Sequence, residues 1–128
     1  RVIFAASRTL AKSFQKNPDP AKLPVLAPAR ESVLRRELEQ WWAAQEIEPM
    51  IRAEFDDAAA MFELAARGLG AAPIHEPVLE DVCKRYGLVA LPLKPDIEDD
   101  LFVVGDKRRY AAEGVAILMD LSDGILKA

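Results

Sequence analysis

The stretch EFDDAAAMFELAARGLGAAP, which runs from Glu54 to Pro73, decides the fold of this chain. A charged strand gives way at the acidic pair Asp56 and Asp57 to an apolar helix, and that helix ends at Gly68. Small residues then lead to Pro73. This order predicts a strand–helix–strand unit, and open α/β folds bind small molecules at the polar ends of such strands.

Composition narrows the class of protein. The 128 residues suffice for one domain with a real core. A net charge of −4 disfavours binding to a phosphate backbone, which needs a basic face, and the run Lys107–Arg109 is typical of a solvated strand end. The single cysteine, Cys83, excludes an internal disulfide, fits a reducing compartment and is expected to be a buried structural thiol. We expect no membrane association, since no apolar run approaches spanning length and the sequence shows no signal peptide.

Strands and helices alternate along the chain. The hydrophobic pattern predicts strands at Val2–Ala6, Leu23–Ala27, Glu48–Phe55, Leu69–Pro73, Leu88–Leu93 and Leu101–Gly105. It predicts helices at Ser7–Phe14, Glu31–Gln45, Asp57–Arg67, Pro77–Tyr86 and Tyr110–Asp120. This alternation indicates an α/β fold with a mixed, mostly parallel sheet of about five strands and helices on both faces. The strand Leu101–Gly105 is expected to be antiparallel, because the turn before it is too short for a crossover.

Two of these elements allow their inward faces to be predicted. The helix Glu31–Gln45 has a broad apolar face that comprises Val33, Leu34, Leu38, Trp41 and Trp42. Its charged residues, Arg35, Arg36, Glu37 and Glu39, are expected to cover the opposite, solvent-facing side. In the strand Glu48–Phe55 we expect Met50, and with less support from the pattern Phe55, to point inward.

Motifs of known enzyme classes are missing. The sequence has no HExxH, GxSxG, P-loop or CxxC spacing, so the basic parts of zinc hydrolases, α/β-hydrolases and nucleotide-binding enzymes are not found. The single histidine, His75, is expected to be hydrogen-bonded or solvent-facing rather than catalytic. Gly68-Leu69-Gly70 follows a helix instead of opening one, which makes it a turn and packing device. We therefore predict no catalytic residues, no cofactor and no enzymatic activity.

Three places in the sequence have the features of a ligand site. The loop Pro28–Ser32 joins a strand end to a helix start, where exposed amides favour an anion, and a role of Ser32 as the helix cap is an equally good interpretation. Asp57 is expected to cap the next helix, which leaves Asp56 freer to point at a ligand. Ala72–His75 ends the following strand. If the sheet is parallel here, all three places lie at one edge, outside the carboxyl ends of the strands.

The acidic pair also raises the question of a metal ion. Carboxylate oxygens suit hard cations, but a stable site needs about six oxygen ligands and few others are visible nearby. Asp56 is the one candidate ligand that the chemistry of the sequence offers.

With these residues placed, the chain resembles the effector-binding domain of LysR-type transcriptional regulators over nearly its whole length. The resemblance is carried by the segments VIFAA, LPVLAPARESVLRRELEQWW, EFDDAAAMFELAARGLGAAP, LVALPL and LFVVGDKRR. Within that family, two short blocks look most like regulators of the sodium/proton antiporter, the NhaR kind. These blocks comprise Pro28, Arg30, Ser32, Leu34, Arg36, Leu38 and Trp41, and the run Glu54–Ala59.

The resemblance implies a domain organisation. The family's effector domain has two lobes of the periplasmic-binding-protein type (type 2), joined by two crossing strands, with the ligand between the lobes. This chain would be the second lobe, about residues 7–100, with crossing strands at about 2–6 and 101–105. A terminal helix at about 110–120 would pack on a missing first lobe. Because Arg1 directly precedes a strand and no initiator Met is present, we expect the chain to be an excised fragment.

The resemblance also implies partners and contacts. The partners would be a small-molecule or ion effector and further copies of the protein, as a homodimer or tetramer. DNA would be bound only through a missing N-terminal winged helix-turn-helix, in the cytoplasm. The effector contacts on this lobe would be Ser7, Arg30, Ser32, Asp56 and Pro73. Many members bind carboxylates through a small hydroxyl residue near the position of Asp56, so an acid there favours a cation or an amino group and makes a metal ion worth testing.

Two other classes of protein share this architecture. One is the solute-binding lobe of a transport system, and the other is an enzyme, which the missing catalytic residues disfavour. A winged helix upstream in the reading frame would support the regulator, whereas a secretion signal there would support the transport protein.

Overall fold

The computed structural model describes residues 1–97 and shows alternating strands and helices in that range. The elements in chain order are β1 Val2–Ala6, α1 Arg8–Lys16, β2 Pro24–Pro28, α2 Val33–Ala44, β3 Met50–Phe55, α3 Ala58–Ala66, β4 Ala72–His75, α4 Leu79–Tyr86 and β5 Val89–Ala90. Short 3-10 helices precede β2 at Pro20–Lys22 and α4 at Glu76–Val78. Each element predicted within this range has a counterpart. The predicted strand Leu101–Gly105 and helix Tyr110–Asp120 lie outside the described residues.

The strands of residues 1–97 form a mixed sheet. β2 pairs with β3 in parallel, and β1 lies between β4 and β5, antiparallel to both. A parallel bridge between Val25 and Ala71 joins the two groups, since the Ala71 amide donates to Pro24 O (2.9 Å) and the Leu26 amide donates to Ala71 O (2.8 Å). The strand order is thus β3-β2-β4-β1-β5. The mixed pairing agrees with the expectation, but parallel pairs do not predominate among these strands because β1 is antiparallel to both neighbours.

Helices cover both faces of the sheet. Alternate side chains of β1 point to opposite sides: Val2, Phe4 and Ala6 pack with side chains of α1 and α2, whereas Ala5 packs on the side of α3. The first core, on the side of α1 and α2, contains Phe14, Leu38 and Trp42. The second core, on the side of α3, contains Leu26, Met61, Ala65 and Ile74. Within residues 1–97, no helix combines the length and apolar character that crossing a membrane requires.

The glycine pair after α3 serves as a turn and packing device, as predicted. Gly68 has a φ of +91°, a left-handed conformation that favours glycine. A Cβ on Gly70 would lie 3.1 Å from the carbonyl oxygen of Pro24 and 3.2 Å from Cδ2 of Leu26. Only a residue without a side chain lets the backbone come close enough for the neighbouring Ala71 to join β2.

The expectation that Met50 points inward is wrong. Its side chain is 41% exposed, and Ile51, Ala53 and Phe55 are the half-buried residues of β3. Val25 is paired with Ile51 and Leu26 with Ala53, so Arg52 is an extra residue that forms a bulge. Exposed and half-buried residues nevertheless alternate along β3, and Met50 shares the exposed positions with Arg52 and Glu54. The inward position of Phe55 is confirmed.

Candidate functional site

The carboxyl ends of β2, β3 and β4 meet at one edge of the sheet. Pro28 lies opposite Phe55 in the parallel ladder, so the loop after β2 and Asp56 leave neighbouring strand ends. β4 runs parallel to β2 through the Val25–Ala71 bridge, which places the end of β4 at His75 on the same side. We call residues 28–32, 54–57 and 74–75 the carboxyl edge. The three places were expected to lie at one edge if the strands are parallel there, and β2, β3 and β4 are parallel to one another.

Two of the five expected contact residues are not brought to this edge. Because β1 is antiparallel to β4, the carboxyl end of β1 lies at the edge of the sheet opposite the carboxyl edge, and Ser7 follows it there. There its Oγ accepts a hydrogen bond from the Leu10 amide at 3.2 Å and caps α1. Pro73 is buried within β4, opposite Phe4, rather than at the strand end. Arg30, Ser32 and Asp56 are the members of the predicted set that the fold brings together.

Helix caps account for two of the polar residues at the carboxyl edge. Ser32 Oγ accepts a hydrogen bond from the Arg35 amide at 3.1 Å and caps α2. Asp57 Oδ1 accepts one from the Ala59 amide at 3.1 Å and caps α3, as predicted. Asp56 is exposed, and within residues 1–97 its carboxylate has no hydrogen-bond or ion-pair partner. The acidic pair is thus divided into one structural residue and one residue available to a ligand.

A buried arginine is the main feature that the sequence pattern missed. Arg35 was expected on the solvent face of its helix, yet its side chain is 4% exposed. Position 35 lies three residues before Leu38 and seven before Trp42, and both of these are buried. Residues at this spacing share one helix face, so the spacing itself indicated that position 35 is buried. The charge of Arg35 led instead to the prediction of a solvent-facing position, since buried arginines are uncommon.

Arg35 is buried with each edge of its guanidinium paired. Nη1 donates to the Pro28 carbonyl at 2.9 Å and Nε donates to Glu39 Oε2 at 2.8 Å. Nη2 lies 3.1 Å from Glu54 Oε2. An unpaired buried charge is strongly destabilising, and this arrangement provides the partners that avoid it. The side chain thus ties α2 to the carboxyl ends of both β2 and β3.

Glu54 is shared by two arginines of very different exposure. Besides Arg35, its Oε2 accepts a hydrogen bond from Arg30 Nε at 3.2 Å, and the Arg30 side chain is 79% exposed. The hydrogen bond from Arg35, followed by that from Arg30, lowers the pKa of Glu54 below its ordinary value. Burial alone would lower the pKa of Arg35, but hydrogen bonds to Glu39 and Glu54 outweigh it, so the pKa of Arg35 is raised. Arg35 and Glu54 are therefore both charged at neutral pH.

The other chemically interesting residues do not assemble into a site. In the part of the chain that the structure describes, no three histidine, cysteine or acidic side chains are placed to hold a metal ion. Cys83 is half-buried, and burial raises the pKa of its thiol, which disfavours the reactive thiolate. This environment is that of a structural cysteine.

A family model described as the LysR substrate-binding domain matches residues 1–123. The chain belongs to this family. No curated protein matches it. LysR substrate-binding domains are regulatory effector-binding modules rather than enzymes, and their fold is the predicted α/β fold of the periplasmic-binding-protein type.

Two solved structures share the fold of this LysR substrate-binding domain. The effector-binding domain of QuiR in complex with shikimate has a TM-score of 0.61 and 16% identity, over 77% of this chain and 47% of that one. The AmpR effector-binding domain from Citrobacter freundii has a TM-score of 0.54 and 24% identity, over 73% of this chain and 46% of that one. The chain therefore spans about half the length of these effector-binding domains.

Proposed function

We propose that this LysR substrate-binding domain is the second lobe of the effector sensor of a bacterial LysR-type transcriptional regulator. The family match and the two structural neighbours support this role. The lobe would comprise about residues 7–100, with crossing strands at about 2–6 and 101–105 and a helix at about 110–120 that packs on the first lobe. A small molecule or ion bound between the lobes would modulate DNA binding by a winged helix-turn-helix elsewhere in the protein. Such a regulator would be a cytoplasmic homodimer or tetramer.

One observation carries the choice of the site. The parallel register of Pro28 with Phe55 places the Arg30 loop beside Asp56, at the carboxyl ends of adjacent strands. Ligands of open α/β sheets bind at this position. Arg30, Ser32 and Asp56 are the contact residues that we propose from the predicted set. Ser7 and Pro73 are left out, because one lies at the opposite side of the sheet and the other lies inside β4.

The charges at the carboxyl edge favour a ligand with a cationic group. Arg30, the exposed cation there, is paired with Glu54, whereas the exposed carboxylate of Asp56 has no partner within residues 1–97. The carboxylate of Asp56 would repel an anionic effector and would attract an amino group or a cation. A metal ion would require most of its oxygen ligands from outside residues 1–97. We therefore rank an amine above a metal ion.

The subgroup remains a proposal that rests on sequence alone. The blocks around Arg30 and Glu54–Ala59 resemble regulators of the NhaR kind, which control a sodium/proton antiporter. Sodium and lithium consequently belong among the first ions to test. If the regulator responds to neither ion, the assignment to the NhaR kind is wrong. Its membership of the LysR family would not be affected.

Substitution of Asp56 tests the proposed site directly. In the full-length regulator, Asp56→Ala should abolish the effector response in a promoter–reporter assay, because the attracting carboxylate is removed. Glu63→Ala is the matched control: Glu63 is an exposed acid on α3, 3.9 Å from Arg67 at its closest polar approach. The control should respond as the unmodified protein does. A normal response of Asp56→Ala would remove Asp56 from the site.

A further inference from the structure

One buried side chain links the two strand ends that carry the proposed effector loops, in addition to the backbone ladder of β2 and β3. Through its guanidinium, Arg35 holds the Pro28 carbonyl at the end of β2 and Glu54 near the end of β3. Its third partner, Glu39, is on its own helix one turn further along. The planar fork of an arginine can satisfy three acceptors at once, and the ammonium group of a lysine cannot reproduce that geometry. The relative position of the two loops therefore depends on this buried group in addition to the backbone ladder of β2 and β3.

Arg30 contacts the same Glu54 oxygen, but from a much more exposed position than Arg35. Its Nε lies 3.2 Å from Glu54 Oε2, but the side chain is largely in solvent and forms no second hydrogen bond or ion pair within residues 1–97. Exposed ion pairs of this kind are weak and are screened by salt. Glu54 thus has one fixed partner and one exchangeable partner. If Arg30 turns away, the carboxylate of Glu54 still has Arg35.

We propose that Arg35 is a positioning residue of the effector site. It holds the loop Ala29–Ser32 and the segment Phe55–Asp57 together at the end of the β2–β3 ladder, and it anchors Glu54 so that Arg30 can exchange that contact for one with a hydrogen-bond acceptor of the ligand. The proposal rests on the proposed function only in describing these segments as effector-facing. Arg35 would act through the segments and would not touch the effector.

Hydrogen exchange in the 128-residue chain tests the positioning role. The amide of Ser32 donates to Ala29 O, and the amide of Ala59 donates to Asp57, so these two amides report on the two segments. Removing the fork in Arg35→Met should accelerate exchange at both by at least about tenfold, as for a local opening. The Leu26 and Leu91 amides, which donate to Ala71 O and Phe4 O inside the sheet, should change less than about twofold.

Two further variants keep the test decisive. Arg30→Gln removes the other cation from Glu54 and should leave exchange at Ser32 and Ala59 within about twofold of the original. Arg35→Lys keeps the charge but not the fork, so it should show the local acceleration even if Arg35→Met does not fold. Unchanged exchange at Ser32 and Ala59 in Arg35→Lys would overturn the proposal. A uniform acceleration that includes the sheet amides would also overturn it, since Arg35 would then be a general stabiliser.

A titration of Glu54 by NMR gives a readout that loss of packing alone would not move. Arg35→Met and Arg30→Gln should each raise the pKa of Glu54, because the hydrogen bond from each arginine lowers it. An unchanged pKa of Glu54 in Arg35→Met would contradict the role of Arg35 as the partner that anchors this carboxylate. None of these measurements requires an effector. They can therefore fail while the response test with Asp56→Ala succeeds, and the reverse also holds.

Discussion

Arg35 and Glu54 form a charge pair whose two members lie in very different surroundings. Arg35 is almost completely buried, whereas the carboxylate of Glu54 opens to solvent beside Asp56 and is contacted from the solvent side by Arg30. Buried charge pairs are rarely the cheapest way to stabilise a protein, and an apolar substitute of similar volume is often as stable. This one lies beneath the carboxyl edge, where holding two loops in register has a function.

The lowered pKa of Glu54 makes a prediction about pH. A carboxyl group whose pKa is lower in the folded state stabilises the protein above its unfolded pKa, and that contribution disappears as pH falls through the folded value. Urea unfolding should therefore show Glu54→Gln to be less stable than the original chain at neutral pH. The difference should shrink as pH falls below 4.5, the ordinary pKa of this group. A difference that does not depend on pH would show that the charge of Glu54 is not the cause.

The control for this measurement is an exposed acid with a weaker partner. Glu63 lies one turn before Arg67, and their charged atoms are 3.9 Å apart on the surface of α3. Pairs of this kind contribute about 0.3–0.5 kcal/mol. Glu63→Gln should consequently change stability by no more than this at neutral pH.

At the level of single residues, prediction from sequence depended on how local the interaction is. The cap at Asp57 is formed with an amide two residues away, and the sequence predicted it. The partners of Arg35 on β2 and β3 lie seven and nineteen positions away, and only the folded sheet brings them together. The end of the sheet at which Ser7 lies likewise depends on a long-range contact, the antiparallel pairing of β1 with β4.

Helix α2 shows how one element is held to the sheet. Leu38 and Trp42 are buried in the first core, whereas Val33, predicted on the same face, is 62% exposed at the start of the helix. Leu38→Ala should therefore lower the free energy of unfolding by about 2–5 kcal/mol, because it leaves a cavity. Val33→Ala should change it by less than about 0.5 kcal/mol. Equal effects in chemical denaturation would show that α2 does not pack through Leu38.

The segment after α3 makes a second prediction at this scale. Gly70→Ala should destabilise the chain by about 1–3 kcal/mol, because its Cβ would meet the Pro24 carbonyl at 3.1 Å and the backbone would have to shift. Gly87→Ala is the control: its φ is +72° and no atom lies within 4 Å of the added Cβ. It should cost only the conformational strain, about 1–2 kcal/mol.

Exchange at the Ala71–β2 bridge separates these two glycine variants. The amide of Leu26 donates to Ala71 O, so a shifted backbone at Gly70 should accelerate exchange there. Gly87 follows α4 and is not part of this bridge. Slow exchange at Leu26 in Gly70→Ala would mean that the close approach tolerates a methyl group.

The elements themselves were predictable because their signals are periodic and local. Alternation and caps indicated every strand and helix of residues 1–97 to within a few positions. The order of strands was harder, since β1 is inserted between β4 and β5, which are distant from it in sequence. The bulge at Arg52 likewise depends on the pairing of β3 with the neighbouring strand.

At the scale of the whole molecule, this LysR substrate-binding domain carries its proposed site along the carboxyl edge of residues 1–97. It spans about half the length of the QuiR and AmpR effector-binding domains, so in the proposed arrangement another lobe provides the opposite wall. A ligand that touches one wall forms only part of its contacts. The affinity of the 128-residue chain for an effector should therefore be much lower than that of a complete effector domain.

This difference is measurable by thermal unfolding. A ligand that binds only the folded state at about 100 times its Kd adds about 2.7 kcal/mol of stability, which for a domain of effector-domain size raises Tm by several degrees. Small amines, sodium, lithium and small carboxylates, each tested with the complete domain, should include one compound that gives such a rise, with amines favoured by the charge of Asp56. The 128-residue chain should show little or no rise with the same compound. Asp56→Asn should remove the rise in the complete domain, whereas Glu63→Gln should retain it. An effector whose full effect survives Asp56→Asn would place the binding site away from the carboxyl edge.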